Sequence, residues 1–145
     1  MQDAIRIAPS YADGYGLLSM IKNKSGEPEK AIEYIRKGMR LNPFFTWDYY
    51  YNLGRAYYTM GRYEEAIDYL LKAKERNENV IQVRLLLAAS YVNVNRMDDA
   101  EWEIEEVQFL NPTETLTHTR QTIPMTNLAY LDKLISDLRK AGLPE

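Results

Sequence analysis

The chain of 145 residues contains no cysteine and a single histidine, His118. Without cysteine there is no disulfide framework, no thiolate nucleophile and no thiolate metal site. His118 has no pair of acidic ligands near it in the sequence, so it predicts neither a metal site nor half of a nucleophile–base pair. No glycine-rich phosphate loop occurs either. We therefore expect a non-catalytic chain with no metal and no cofactor.

Positive charge and long apolar runs are also scarce. The 18 Lys and Arg residues are outnumbered by 21 Asp and Glu residues, whereas nucleic acid favours a basic face, so we expect no nucleic-acid partner. No apolar run approaches the roughly 20 residues of a membrane span, because Arg84 interrupts the best candidate, residues 80–92. The N-terminal residues lack the apolar stretch of a secretory signal. We expect a cytoplasmic protein that does not insert into membranes.

The chain does contain three copies of one spacing pattern of small and large residues. Corresponding positions lie 35 residues apart between the first two copies, and 34 apart between the second and third. Such periods mark stacked supersecondary units, whose arrays usually present binding surfaces. The recurring positions include Tyr15, Tyr50 and Arg84; Ser19, Gly54 and Ala88; Gly26, Gly61 and Asn95; and Ala31, Ala66 and Ala100.

These residue types predict pairs of antiparallel helices that pack closely. The small residue on the first helix of each pair faces an alanine on the second, so the two backbones can approach. Gly or Asn falls at the turn between them, where the left-handed conformation is tolerated. Large aromatic residues fill the space around the contact. We expect four of them in the core: Tyr15, Tyr50, Tyr57 and Tyr91.

The middle copy carries the most specific motif. Its Tyr50-x2-Leu53-Gly54-x2-Tyr57, followed by Ala66-x3-Leu70, resembles the tetratricopeptide repeat signature, W-x2-L-G-x2-Y and then A-x3-F. The resemblance implies an all-α, right-handed α-solenoid of antiparallel helix pairs that binds proteins.

We expect one domain with three full repeats, followed by a connector and a capping helix. A short helix or an irregular stretch both fit the connector, whereas the apolar spacing after Asn127 predicts a helix that ends at Gly142 and covers the last repeat. The ranges are 12–45, 47–78 and 81–112 for the repeats, 113–126 for the connector and 127–142 for the capping helix.

The N-terminal residues continue the phase of the repeat. Pro9 lies 34 residues before Pro43, so residues 1–9 read as the end of a preceding partial repeat. We expect this chain to be a fragment of a longer protein with more sequence upstream.

Two segments narrow the resemblance. Residues 42–57, NPFFTWDYYYNLGRAY, look like a stretch found in repeat regions C-terminal to bacterial class III adenylate or guanylate cyclase domains. Residues 138–145, LRKAGLPE, are similar to the C-terminus of that group, and related arrays follow winged-helix regulators. The resemblance implies a regulatory or docking segment of a bacterial signalling protein, whose catalytic domain would lie upstream of Met1.

The first helix of each repeat lines the concave face in tetratricopeptide arrays, and some residues there are not required by the signature. We expect a protein or peptide to bind them, anchored by apolar side chains and oriented by Asn52, Arg55 and Gln82. We expect Tyr51, Arg55 and Tyr58 to be exposed, while Met20, Leu85 and Leu86 could equally contact neighbouring repeats or the connector. The candidate partner-binding residues are Leu17, Met20, Tyr51, Asn52, Arg55, Tyr58, Gln82, Leu85 and Ala89.

Three further expectations concern other partners. Chaperone-binding relatives hold a terminal carboxylate with basic and amide side chains, of which only Asn52 is matched, so we expect no binding of acidic chaperone tails. The acidic residues of the third copy's second helix predict a solvated convex face, or alternatively a dock for a basic partner. Self-association into a homodimer, through the concave face or through Phe44, Phe45 and Trp47, is the alternative function. The acidic residues are Asp98, Asp99, Glu101, Glu103, Glu105 and Glu106.

Overall fold

The structure is a computed structural model that describes residues 12–145. Within that range it contains eight α-helices and no strand, and the expectation for residues 1–9 lies outside the described residues. No described helix has the length and hydropathy needed to cross a membrane. The helices are α1 Ala12–Lys24, α2 Pro28–Leu41, α3 Trp47–Thr59, α4 Tyr63–Arg76, α5 Ile81–Asn93, α6 Met97–Leu110, α7 Leu116–Thr122 and α8 Leu128–Ala141.

The first six helices form three successive pairs, α1 with α2, α3 with α4, and α5 with α6, and each pair packs on the next. The turns inside the pairs have left-handed backbone at Gly26, Gly61 and Asn95, with φ of 77°, 78° and 60°. These are the three positions at which the sequence predicts such a turn. The predicted all-α solenoid of helix pairs is confirmed.

The small residues form the tightest contact within a pair. A Cβ atom added to Gly54 would lie 2.5 Å from the Cγ of Leu70 on the facing helix. Around such contacts Tyr15, Tyr57 and Tyr91 are buried as expected. The fourth expected core residue, Tyr50, is half-buried beside the Tyr69 ring.

The expectation of a wholly solvated acidic face is wrong for one residue, Glu103, which is 1% exposed. Its carboxylate accepts hydrogen bonds from Arg84 Nη1 at 2.7 Å and from Lys74 Nζ at 2.8 Å. Arg84 stands at the position that is tyrosine in the first two copies, and its buried guanidinium draws in the facing carboxylate. The other carboxylates of the cluster remain at least partly exposed.

The C-terminal region returns across the stack. Thr115 caps the N-terminus of helix α7, where its Oγ1 accepts from the His118 amide. Asn127 caps the N-terminus of helix α8, where its side chain accepts from two amides of the first turn, and Gly142 caps the C-terminus with φ of 106°. Helix α8 packs mainly on α5, the first helix of the third pair. It therefore lies on the side of the stack that the first helices form.

Replacing Gly54 by alanine should lower the free energy of unfolding by about 1–3 kcal/mol, because the new Cβ overpacks the buried contact with Leu70. The matched control is Gly16→Ala in α1, where a new Cβ would lie 3.4 Å from the Tyr49 ring. That variant should be neutral or more stable by up to about 1 kcal/mol, because alanine has the higher helix propensity. Urea unfolding of both variants measures the difference, and equal stability would contradict the close-contact explanation.

Candidate functional site

Helices α1, α3 and α5, the first helices of the three pairs, pack side by side, and the chain crosses this face between α7 and α8. We call residues 123–126 the crossing segment. A cavity of about 300 Å³ lies between α3, α5 and α8, and a second of about 320 Å³ lies beside α7. Tyr51, Gln82 and Leu85 border both cavities, as does Ile123 of the crossing segment. The crossing segment therefore divides one groove into two cavities.

Side chains and backbone of the first helices hold the crossing segment. The Nη2 of Arg55 donates to the Pro124 carbonyl oxygen at 2.6 Å. At the end of α1, the Lys24 carbonyl oxygen accepts from the Thr126 amide at 3.1 Å and from the Thr126 Oγ1 at 2.9 Å. The segment thus bridges the first two repeats.

A buried carboxylate holds α8 in place. Asp137 is 2% exposed and accepts from the Tyr58 hydroxyl, from Asn93 Nδ2 at 2.8 Å and from Lys133 Nζ at 2.6 Å. Burial raises the pKa of the Tyr58 phenol, and the hydrogen bond to Asp137 raises it further. Tyr58 is therefore a neutral donor at physiological pH. Asp137 joins α8 to both the second and the third repeat.

The wall of the first cavity is apolar with a few polar groups. The Tyr58 and Tyr63 rings meet edge to face, 5.5 Å apart, and the Lys133 ammonium lies 5.3 Å from the Tyr63 centroid. Burial raises the pKa of Tyr51, and the nearby Arg55 charge partly opposes that effect. The cavity thus offers neutral phenols and two cations, Arg55 and Lys133.

The second cavity is more polar. Buried Glu114 accepts from Thr119 Oγ1 at 2.7 Å and lies 2.8 Å from His118 Nδ1. Both residues border the cavity. Within residues 12–145 no three His, Asp or Glu side chains gather as a metal would require.

The expected exposure is wrong for Arg55 and Tyr58, each 7% exposed, because the crossing segment and α8 cover them. Tyr51 is half-buried. All three border the first cavity, so they do lie together in the groove.

The other candidate residues divide into three groups. Gln82 is exposed and Leu85 buried, and both border the two cavities. Buried Asn52 instead joins α3 to α1, since its backbone carbonyl accepts from Asn23 Nδ2 at 3.0 Å, and Ala89 is fully buried. Leu17 and Met20 are about half exposed on α1, outside both cavities.

Sequence reasoning missed the residues that the C-terminal region adds to the first cavity. One signal for them was available, since Asp137 interrupts the apolar face that Leu134 and Leu138 define. A carboxylate on such a face indicates a buried polar partner. The added residues are Ile123, Met125, Tyr130, Lys133 and Leu134.

Comparison with known proteins identifies the repeats. Residues 12–45 and residues 47–80 each match a family model described as tetratricopeptide repeat. An uncharacterized protein of Methanocaldococcus jannaschii is 49% identical over 41 residues, which is 28% of this chain and 46% of that protein. The match therefore spans less than half of that relative.

Three solved structures share the fold at low sequence identity. MamA is 20% identical with a TM-score of 0.71, over 97% of this chain and 81% of its own. The second tetratricopeptide repeat domain of human RPAP3, in complex with the HSP70 peptide SGPTIEEVD, is 17% identical with a TM-score of 0.69. The match covers 92% of this chain and 98% of the RPAP3 domain. The Yersinia enterocolitica chaperone SycD, in complex with a peptide of the translocator YopD, is 16% identical with a TM-score of 0.68. The match covers 93% of this chain and 95% of the SycD chain.

The helix pairs, the left-handed turns and the two matched segments together define the class. The chain contains tetratricopeptide repeats and has the fold of a tetratricopeptide solenoid. This fold is a non-catalytic protein-interaction module.

Replacing Asp137 by alanine should lower the free energy of unfolding by about 1–3 kcal/mol, because the buried Tyr58 hydroxyl loses its acceptor. Asp132→Ala is the matched control on the same helix. Its carboxylate is exposed and pairs with Arg120 at 2.9 Å, and such pairs contribute at most about 1 kcal/mol. Chemical denaturation compares the two, and an Asp137 variant as stable as the control would contradict the role of Asp137 in holding α8.

Proposed function

We propose that this chain binds an apolar peptide segment of a partner protein in its concave groove. The observation that carries the proposal is the cavity of about 300 Å³, in which Tyr51 and Leu85 meet the polar groups of Arg55 and Gln82. Apolar pockets with a few directed polar groups are typical of ligand sites. Two structures with the same fold, those of RPAP3 and SycD, contain a bound peptide, which supports the proposal.

The groove chemistry defines the ligand. Tyrosine and leucine walls bury apolar side chains, while the Arg55 guanidinium and the Gln82 amide can donate to backbone carbonyl oxygens of the ligand. A cluster of cations able to hold an acidic tail is not present among the residues that border the first cavity, where the cations are Arg55 and Lys133. The ligand is therefore an apolar segment, and the peptide SGPTIEEVD serves as the negative control.

The proposed biological setting is the regulatory or docking region of a bacterial signalling protein, such as a class III nucleotide cyclase, in the cytoplasm. The support is the resemblance of residues 42–57 and 138–145 to the repeat regions that follow such catalytic domains. The chain itself supplies the interaction surface, and the chemistry would belong to another part of the parent protein.

Peptides selected from a random display library against the chain provide the test, with affinity read by fluorescence anisotropy. Gln82→Trp fills the space that both cavities share and should weaken binding at least tenfold, since a blocked apolar anchor costs more than about 1.4 kcal/mol. Gln108→Trp on α6 is the matched control, because Gln108 borders neither cavity, and it should leave affinity unchanged. Selection of no peptide, or only of peptides insensitive to Gln82→Trp, would contradict groove binding.

Self-association of the parent protein is the second candidate function. It is favoured by the apolar face of α1, where Leu17, Met20 and Ile21 are each about half exposed. Light scattering across a concentration series should then show mass increasing toward a dimer, and Ile21→Glu should abolish the increase. Phe109→Glu on α6, where the aromatic ring is also exposed, is the control and should dimerise normally. A monomer at every concentration would count against this function.

A further inference from the structure

The crossing segment has the backbone features of a bound peptide. Ile123 at its start and Asn127 just after it have extended backbone, with φ and ψ of −74° and 123° and of −84° and 109°. Residues 124–126 form no helix. The Pro124 carbonyl oxygen accepts from Arg55 in the groove, and the Thr126 amide and hydroxyl donate to the Lys24 carbonyl oxygen at the end of α1.

Its apolar side chains also occupy the groove. Ile123 borders both cavities and Met125 borders the first, and both pack against the hydrophobic core. Between them Pro124 has no amide hydrogen to donate, while its carbonyl oxygen accepts from Arg55. The pattern is apolar, proline, apolar, threonine.

The crossing segment is less firmly held than the helices on either side. Pro124 and Thr126 are exposed, whereas α8 is fixed by buried Asp137. Helix α7 is tied to the C-terminal end by the Leu116 amide, which donates to the Pro144 carbonyl oxygen at 2.8 Å. Segments held mainly by solvent-exposed hydrogen bonds open at lower free-energy cost than buried helices. Opening of residues 123–126 while α7 and α8 stay docked would release Ile123 and Met125 from the core.

We propose that the crossing segment is an internal competitor of the partner. It occupies the place of the ligand, and the partner is an extended segment with the same pattern, a proline between two apolar residues followed by threonine. This inference rests on the proposed peptide binding. The incoming proline carbonyl accepts from Arg55, and its apolar neighbours fill the two cavities.

Competition by the crossing segment lowers the apparent affinity of the groove for a peptide added in trans. A tethered segment has an effective concentration of order millimolar, and the apparent dissociation constant equals the intrinsic one divided by the fraction of open groove. Weakening the crossing segment's own contacts therefore tightens binding of a peptide added in trans. A site without an internal competitor would not respond in this way.

The probe is a labelled synthetic peptide with the sequence of residues 120–127, RQTIPMTN, added to the full chain. Thr126→Val removes the hydroxyl that donates to Lys24 and should tighten binding of the probe about 2- to 10-fold, the equivalent of one hydrogen bond. Thr117→Val is the matched control, since its hydroxyl bonds the Glu145 carbonyl oxygen at 3.0 Å, away from the groove. It should leave the affinity unchanged.

Hydrogen exchange supplies a readout that does not depend on the variants. Saturating probe should accelerate exchange of the Thr126 amide, which loses its bond to Lys24, but not of the Leu116 amide. The inference would be overturned if the probe bound Thr126→Val and the unsubstituted chain with equal affinity. It would also be overturned if the probe did not bind, or if it left the exchange rate of the Thr126 amide unchanged. Suppose that one of these results is obtained, but library peptides still bind and Gln82→Trp still weakens their binding. The crossing segment is then not a competitor, while the proposed peptide binding in the groove stands.

Discussion

The close approach of the two helices in each pair is the constraint on which the rest of the structure depends. Gly54 faces Leu70, and a methyl group at that position would meet the leucine at 2.5 Å. Because each pair is narrow and the pairs repeat at 34 or 35 residues, successive first helices lie side by side. The side chains on the shared face of these first helices then line one continuous groove, which a single repeat could not form.

Two buried carboxylates fix what packs on this scaffold. Glu103 joins α6 to Lys74 and Arg84, and Asp137 joins α8 to Tyr58 and Asn93. Burying a carboxylate costs free energy that its partners offset only when the geometry is good. Glu103 therefore fixes how α6 packs against α4 and α5, whereas Asp137 fixes the position of α8 against α3 and α5.

The sequence predicts the local features of this fold well, because small residues, turns and helical periodicity act within a single repeat. It does not predict what covers Arg55 and Tyr58, whose partners Pro124 and Asp137 lie 69 and 79 residues away. A repeat signature distinguishes the residues that the fold requires from the residues that it does not specify. It contains no information on which distant segment packs against the latter, so half-exposed Met20 and buried Arg55 look alike.

The groove combines two levels of attachment that differ in strength. Helix α8 is held by a buried carboxylate that accepts from Tyr58 and Asn93 of the repeats. The crossing segment packs Ile123 and Met125 on the core, but its hydrogen bonds to the repeats come from exposed Pro124 and Thr126. For a partner to displace the crossing segment, only the contacts of residues 123–126 must break, while those of α8 remain. A partner would then replace four residues without disturbing the helices, and its affinity would be limited by the tether. The selectivity of the groove would follow from the same pattern that holds its own chain.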